Sequence, residues 1–89
     1  MKTVQLIISG RVQGVYFRAF TQKQAFKHGI TGYVCNKDDG AVEVVACAED
    51  ESLEHFIRWC HKGPIMAKVK NVVINELLIS ETFTQFEIR

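Results

Sequence analysis

Apolar residues recur along this chain in two rhythms. Near the start Val4, Leu6 and Ile8 alternate with Thr3, Gln5 and Ile7. A period of two predicts a first strand, and Ile7 in the second row predicts that both faces are largely covered. Residues 11–16 contain Gly14 and read as a turn. Residues 17–28 hold neither Gly nor Pro, and Gly29 follows as a stop, which predicts a helix. Phe17, Thr21, Ala25 and His28 share one stripe of it, with Phe20 and Gln24 beside them. Residues 30–36 carry Thr31, Tyr33 and Val34 and predict a second strand. Lys37, Asp38, Asp39 and Gly40 predict a turn. Val42, Val44 and Ala46 then place a third strand over residues 41–47, in a hairpin with the second.

The second helix has the plainest period. Leu53, Phe56, Ile57 and Cys60 stand at i, i+3, i+4 and i+7. Glu49, Asp50, Glu51 and Glu54 crowd its start, where the helix dipole favours negative charge. His61 and Lys62 sit near its end, and Gly63-Pro64 stops it. His55 and Trp59 are expected on its outward face. Val69, Val72 and Ile74 predict a fourth strand, with a change of phase at Lys70-Asn71 that suggests a bulge. Phe86 and Ile88, alternating with Gln85, Glu87 and Arg89, predict a short fifth.

The order is β-α-β-β-α-β followed by a further strand. Two successive β-α-β units share one sheet and put both helices on one face. The expected class is therefore α+β, a ferredoxin-like α/β sandwich on a mixed, mainly antiparallel sheet. That fold hosts many unrelated activities, so function must come from a site.

The chain has 89 residues, which fits one domain over 1–89. Apolar content of 47% and charged content of 24% argue against disorder. A formal net charge of +1 gives no general attraction to nucleic acid or to anionic membrane, so any anion site must be local. No apolar run reaches the roughly 18–20 residues that span a bilayer. The odd, widely spaced cysteines Cys35, Cys47 and Cys60 form no Cys-x-x-Cys pair. They read as small packing residues in a reducing cytoplasm. His28, His55 and His61 show no metal-like pairing and read as surface or packing residues.

Chemistry concentrates in Gly10-Arg11-Val12-Gln13-Gly14-Val15-Tyr16-Phe17-Arg18, between the first strand and the first helix. The first N–H groups of a helix lack partners within it, and the dipole there is positive. Gly14 lets the backbone curl close to a ligand. Arg18, in the first turn, is always charged and can grip two oxyanion oxygens together. This is a local oxyanion site. It is neither a Walker A loop nor a dinucleotide fingerprint. No serine, threonine or cysteine of the loop can carry a phosphoryl group, and Tyr16 is the one formal nucleophile. Spacing alone leaves Arg18 either a ligand-gripping residue or a solvated surface arginine.

That segment resembles the first signature of the acylphosphatase family. Gly32-Tyr33-Val34-Cys35-Asn36, Asp39-Gly40 and Val42-Glu43 resemble its second. Gly63-Pro64, Ala67-Lys68-Val69 and Phe86-Glu87-Ile88-Arg89 extend the resemblance over essentially the whole chain. The resemblance implies hydrolysis of acyl phosphates to a carboxylate and inorganic phosphate, by direct attack of water and without metal, cofactor or covalent intermediate. It implies Arg18 and Asn36 as catalytic residues, Arg18 binding phosphate and Asn36 positioning water. It implies a phosphate-binding loop of Gln13, Gly14, Val15, Tyr16 and Phe17. The expected partners are a small acyl phosphate and inorganic phosphate, not nucleic acid or membrane, acting on a cytoplasmic monomer. A binding module that captures the same anion would need Arg18 but not Asn36. Tyr33 stands where the family often has tryptophan, His28 where leucine is frequent, and Ile65 where a second proline is frequent.

Overall fold

A row of Val4, Leu6 and Ile8 must be covered, and two helices on one side of a sheet cover it. The computed structural model describes residues 1–78 and 82–89. Its elements are β1 (Lys2–Arg11), α1 (Phe17–His28), β2 (Thr31–Asn36), β3 (Val42–Ala48), α2 (Asp50–Lys62), β4 (Lys68–Leu77) and β5 (Phe86–Ile88). The sheet order is β4-β1-β3-β2-β5. β1 runs antiparallel to β3 and β4, β2 antiparallel to β3, and β5 parallel to β2. This is the expected ferredoxin-like sandwich with a short extra strand.

The core joins the inner rows of β1, β2 and β3 (Val4, Leu6, Ile8, Val34, Val42, Val44 and Ala46) to Phe17 and Ala25 of α1 and Leu53, Phe56 and Cys60 of α2. Phe56 is fully buried and meets Phe86 edge-on, with ring centroids 6.0 Å apart. Thr21, the one buried polar residue of α1, donates its hydroxyl to the Phe17 carbonyl at 2.7 Å, so it costs the core no unpaired group.

Two local expectations need adjustment. The second face of β1 is covered only in part: Thr3, Gln5 and Ile7 are half-buried. Both helices lie on the other side, and this face is tied by cross-strand contacts such as Gln5 Nε2 to Glu43 Oε2 at 2.7 Å. Trp59 does not face outward, since its ring lies 5.7 Å from Phe17. With α1 and α2 side by side, the flank of α2 that carries Trp59 meets α1 rather than solvent. His55 is exposed, as expected, and stacks on His28 at 5.8 Å.

The bulge falls where the phase changed. Ser9 pairs with Asn71 and Gly10 with Val69, leaving Lys70 unmatched. Gly10 has φ +124°, and a Cβ there would run into the Lys68 carbonyl oxygen. The kink redirects the end of β1 into the segment leading to α1.

Candidate active site

β1 and β2 both run antiparallel to β3, so they are parallel to each other, and β5 is parallel to β2. Their C-terminal ends, at Arg11, Asn36 and Ile88, therefore reach one edge of the sheet. α1 begins at that edge. A cavity of about 410 Å³ opens there, bringing together Gly14, Tyr16, Phe17, Arg18 and Asn36, with Val12, Ala19 and Ile88 completing its wall. β1 and β2 do not pair directly. Instead β3 lies between them, and the loop before α1 crosses its end to meet Asn36.

Alternation shapes this loop. Val12, Val15 and Phe17 are buried and anchor it to the core, while Gly14 and Tyr16 face outward. Gly14 has φ +76° and Tyr16 φ +64°, both left-handed. For a tyrosine that conformation is strained, and strain of this kind gathers at functional segments. The first helical hydrogen bond runs from Phe20 N–H to the Tyr16 carbonyl at 3.1 Å. The N–H groups of residues 15–19 lie ahead of it, and no main-chain acceptor for them is found among the described residues. The first turn of α1 holds no acidic residue, whereas that of α2 holds Asp50 and Glu51. The positive end of the α2 dipole is thus met by the chain's own carboxylates, and that of α1 is left for a ligand.

Arg18 Nη1 donates to the main-chain oxygen of Arg89 at 3.3 Å. No Asp or Glu side chain pairs with Arg18 among the described residues, so none of them competes with an anion for its charge. Asn36, exposed at the end of β2, has no hydrogen-bond partner for its carboxamide among the described residues. It also borders a second cavity of about 370 Å³ with Cys35, Lys37, Asp38 and Asp39. Those aspartates shape the turn, as expected: Asp39 Oδ1 accepts from Ala41 N–H at 3.0 Å.

Of the residues expected to bind phosphate, Gly14, Tyr16, Phe17 and Arg18 line the first cavity, while Gln13 and Val15 do not. The Val15 side chain packs into the core. That of Gln13 turns sideways, its Nε2 donating to the carbonyls of Lys37 and Ala41 at 2.8 and 2.9 Å. These two can offer an anion only their main-chain groups. Ala19, Ile88 and the main-chain oxygen of Arg89 escaped the sequence reading. Knowing that β5 runs parallel to β2 would have found the last two.

Among the described residues no group of three or more His, Cys, Asp or Glu side chains is placed to hold a metal ion. The cysteines are unpaired, and none lines the first cavity. Burial pushes the Cys60 thiol far up. Cys35 is raised as well, by burial and by its hydrogen bond to Glu43.

The acylphosphatase family model matches residues 4–88. An acylphosphatase of Methylococcus capsulatus is 40% identical over 88 residues, covering 99% of this chain and 96% of that one. One of Marinobacter nauticus is 47% identical over 81 residues, covering 91% and 88%. The crystal structure of acylphosphatase from Bacillus subtilis superposes with a TM-score of 0.96 at 36% identity, covering 100% of this chain and 99% of that one. With the family model matched over nearly its whole length, this chain belongs to the acylphosphatase family, enzymes that hydrolyse acyl phosphates.

Proposed function

We propose that hydrolysis takes place in the cavity at the strand ends, by direct attack of water on phosphorus. The observation that carries this is the meeting of three kinds of group there: the N–H groups at the start of α1, the Arg18 guanidinium and the Asn36 carboxamide. Residues 13–17 and Arg18 hold the phosphoryl oxygens through N–H donors and the charged fork. The Asn36 amide, able both to donate and to accept, holds a water in line with the scissile bond. The water oxygen bonds to phosphorus as the P–O bond to the acyl group breaks. The carboxylate leaves with the bonding pair, and the water's proton passes to a phosphoryl oxygen.

The chemistry asks little more of the protein. A carboxylate is a good leaving group, so positioning and charge stabilisation dominate. Among the described residues no Asp, Glu, cysteine or histidine side chain lines the cavity, and Tyr16 brings its single hydroxyl. The same reading takes residues 1–89 as one domain working as a cytoplasmic monomer, without metal or cofactor and without nucleic-acid or membrane partners. Among the described residues no helix is long and apolar enough to cross a membrane.

Turnover of acetyl phosphate in ¹⁸O-water with a chelator tests this reading. The label is expected in inorganic phosphate and absent from acetate, at a rate the chelator leaves unchanged. Label in acetate, or loss of activity with the chelator, overturns it.

A further inference from the structure

We infer that Gln13 is a positioning residue that fixes the anion loop and Asn36 in one frame, an inference that rests on the water-positioning role proposed for Asn36. An amide nitrogen has two hydrogens, and both are used: one on the Lys37 carbonyl at 2.8 Å, the other on the Ala41 carbonyl at 2.9 Å. These acceptors flank Asn36. Lys37 follows it in the chain, and Ala41 precedes Val42, its partner across the β2–β3 ladder. The turn that carries them is itself closed. Lys37 N–H donates to the Ala41 carbonyl at 2.8 Å, Gly40 N–H to the Lys37 carbonyl at 3.2 Å, and Ala41 N–H to Asp39 Oδ1 at 3.0 Å.

Without this amide the two halves of the site are held separately. The loop is anchored from below by Val12, Val15 and Phe17, and Asn36 by the ladder at the end of its strand. Two strand spacings, roughly 9–10 Å, separate β1 from β2. The Gln13 side chain is the direct strut across that gap. It touches neither phosphate nor water in this account. It sets where Asn36 stands relative to the phosphoryl group, and misplacement of about 1 Å can cost on the order of a hundredfold in rate.

A double-mutant cycle on acetyl phosphate hydrolysis tests this, with Gln13→Met, Asn36→Ala and the double variant. Gln13→Met, similar in length but without donors, is expected to lower kcat about tenfold or more. Competitive inhibition by inorganic phosphate should change less than about threefold, because the loop donors and Arg18 remain. In the Asn36→Ala background the same substitution should lower kcat less than about threefold further, because it acts through Asn36. Multiplicative effects, or an unchanged kcat in Gln13→Met, overturn the inference. An unchanged kcat in Asn36→Ala alone overturns the water-positioning role and this inference together. Gln13→Lys, which keeps a donor for the two carbonyls, covers the case in which the methionine variant does not fold. Its kcat should stay within about fivefold of the parent, and a loss as large as that of Asn36→Ala overturns the inference.

Discussion

The guanidinium of Arg18 reaches the main-chain oxygen of Arg89, 3.3 Å away at the end of β5. One donor of the fork is thereby engaged with a main-chain oxygen, which orients the group. The remaining donors are left for the cavity that Arg18 lines. The Arg89 side chain is held in turn, its guanidinium stacked 4.1 Å from the centre of the Tyr33 ring.

This arrangement separates charge from shape. Arg18→Lys keeps the charge but replaces the planar fork with a single point. It cannot be tied to Arg89 and grip two phosphoryl oxygens together. Steady-state kinetics on acetyl phosphate should show kcat/KM reduced roughly tenfold or more, with thermal stability unchanged. Full activity in this variant would mean that charge alone suffices.

Gly14→Ala tests the backbone. A Cβ at this position would meet nothing within 4 Å, but φ is +76°. The cost is therefore conformational, about 1–2 kcal/mol. Thermal unfolding should show Tm lowered by at least about 4 °C for a chain of this size. kcat/KM should fall as well, because the loop N–H groups are re-aimed. An unchanged Tm would contradict the strain argument.

Much of this fold can be read from side-chain pattern. Leu53, Phe56, Ile57 and Cys60 mark α2 because burial on one face imposes a period of about 3.6. The bulge shows at Lys70-Asn71 because an extra residue reverses the alternation of a strand. The anion site shows because Gly14 and Arg18 are both residue types that such a turn needs. What stays hidden depends on partners without a residue signature. Gln13 bonds to main-chain carbonyls 24 and 28 positions away, and every residue has a carbonyl. Trp59 looks solvent-facing on its own helix, and only the neighbouring α1 covers it. Ile88 enters the cavity because a three-residue strand lies parallel to β2, a pairing its own alternation does not encode.

The core carries its own test. Phe56 is fully buried between α2 and the sheet, against Phe86. Phe56→Ala removes that ring and leaves a cavity, at a cost of about 3–5 kcal/mol. Calorimetry should show Tm lowered by more than about 12 °C. A loss below about 1 kcal/mol would mean that the surrounding side chains collapse into the space.

Stability should depend on pH through His28. Partial burial, then Lys27 and the stacked His55, lower its pKa from the ordinary 6.5. The unfolded chain therefore takes up this proton more readily than the folded one. Below about pH 6.5 the unfolded state binds more protons, so stability is full above that pH and declines as pH falls toward the lower folded value. Tm measured at pH 7.5 and pH 5.0 should drop less in His28→Leu than in the parent. An equal drop would remove His28 from the acid response.

The central claim is that the cavity at the strand ends does the chemistry, with Arg18 as its fixed cation. The most direct measurement is the rate of inorganic phosphate release from acetyl phosphate by Arg18→Ala beside the parent protein. Loss of one donor to a developing oxyanion costs about 3–4 kcal/mol, so kcat/KM should fall by at least a factor on the order of 10². Turnover close to that of the parent, in a variant that folds normally, would show that the reaction takes place elsewhere.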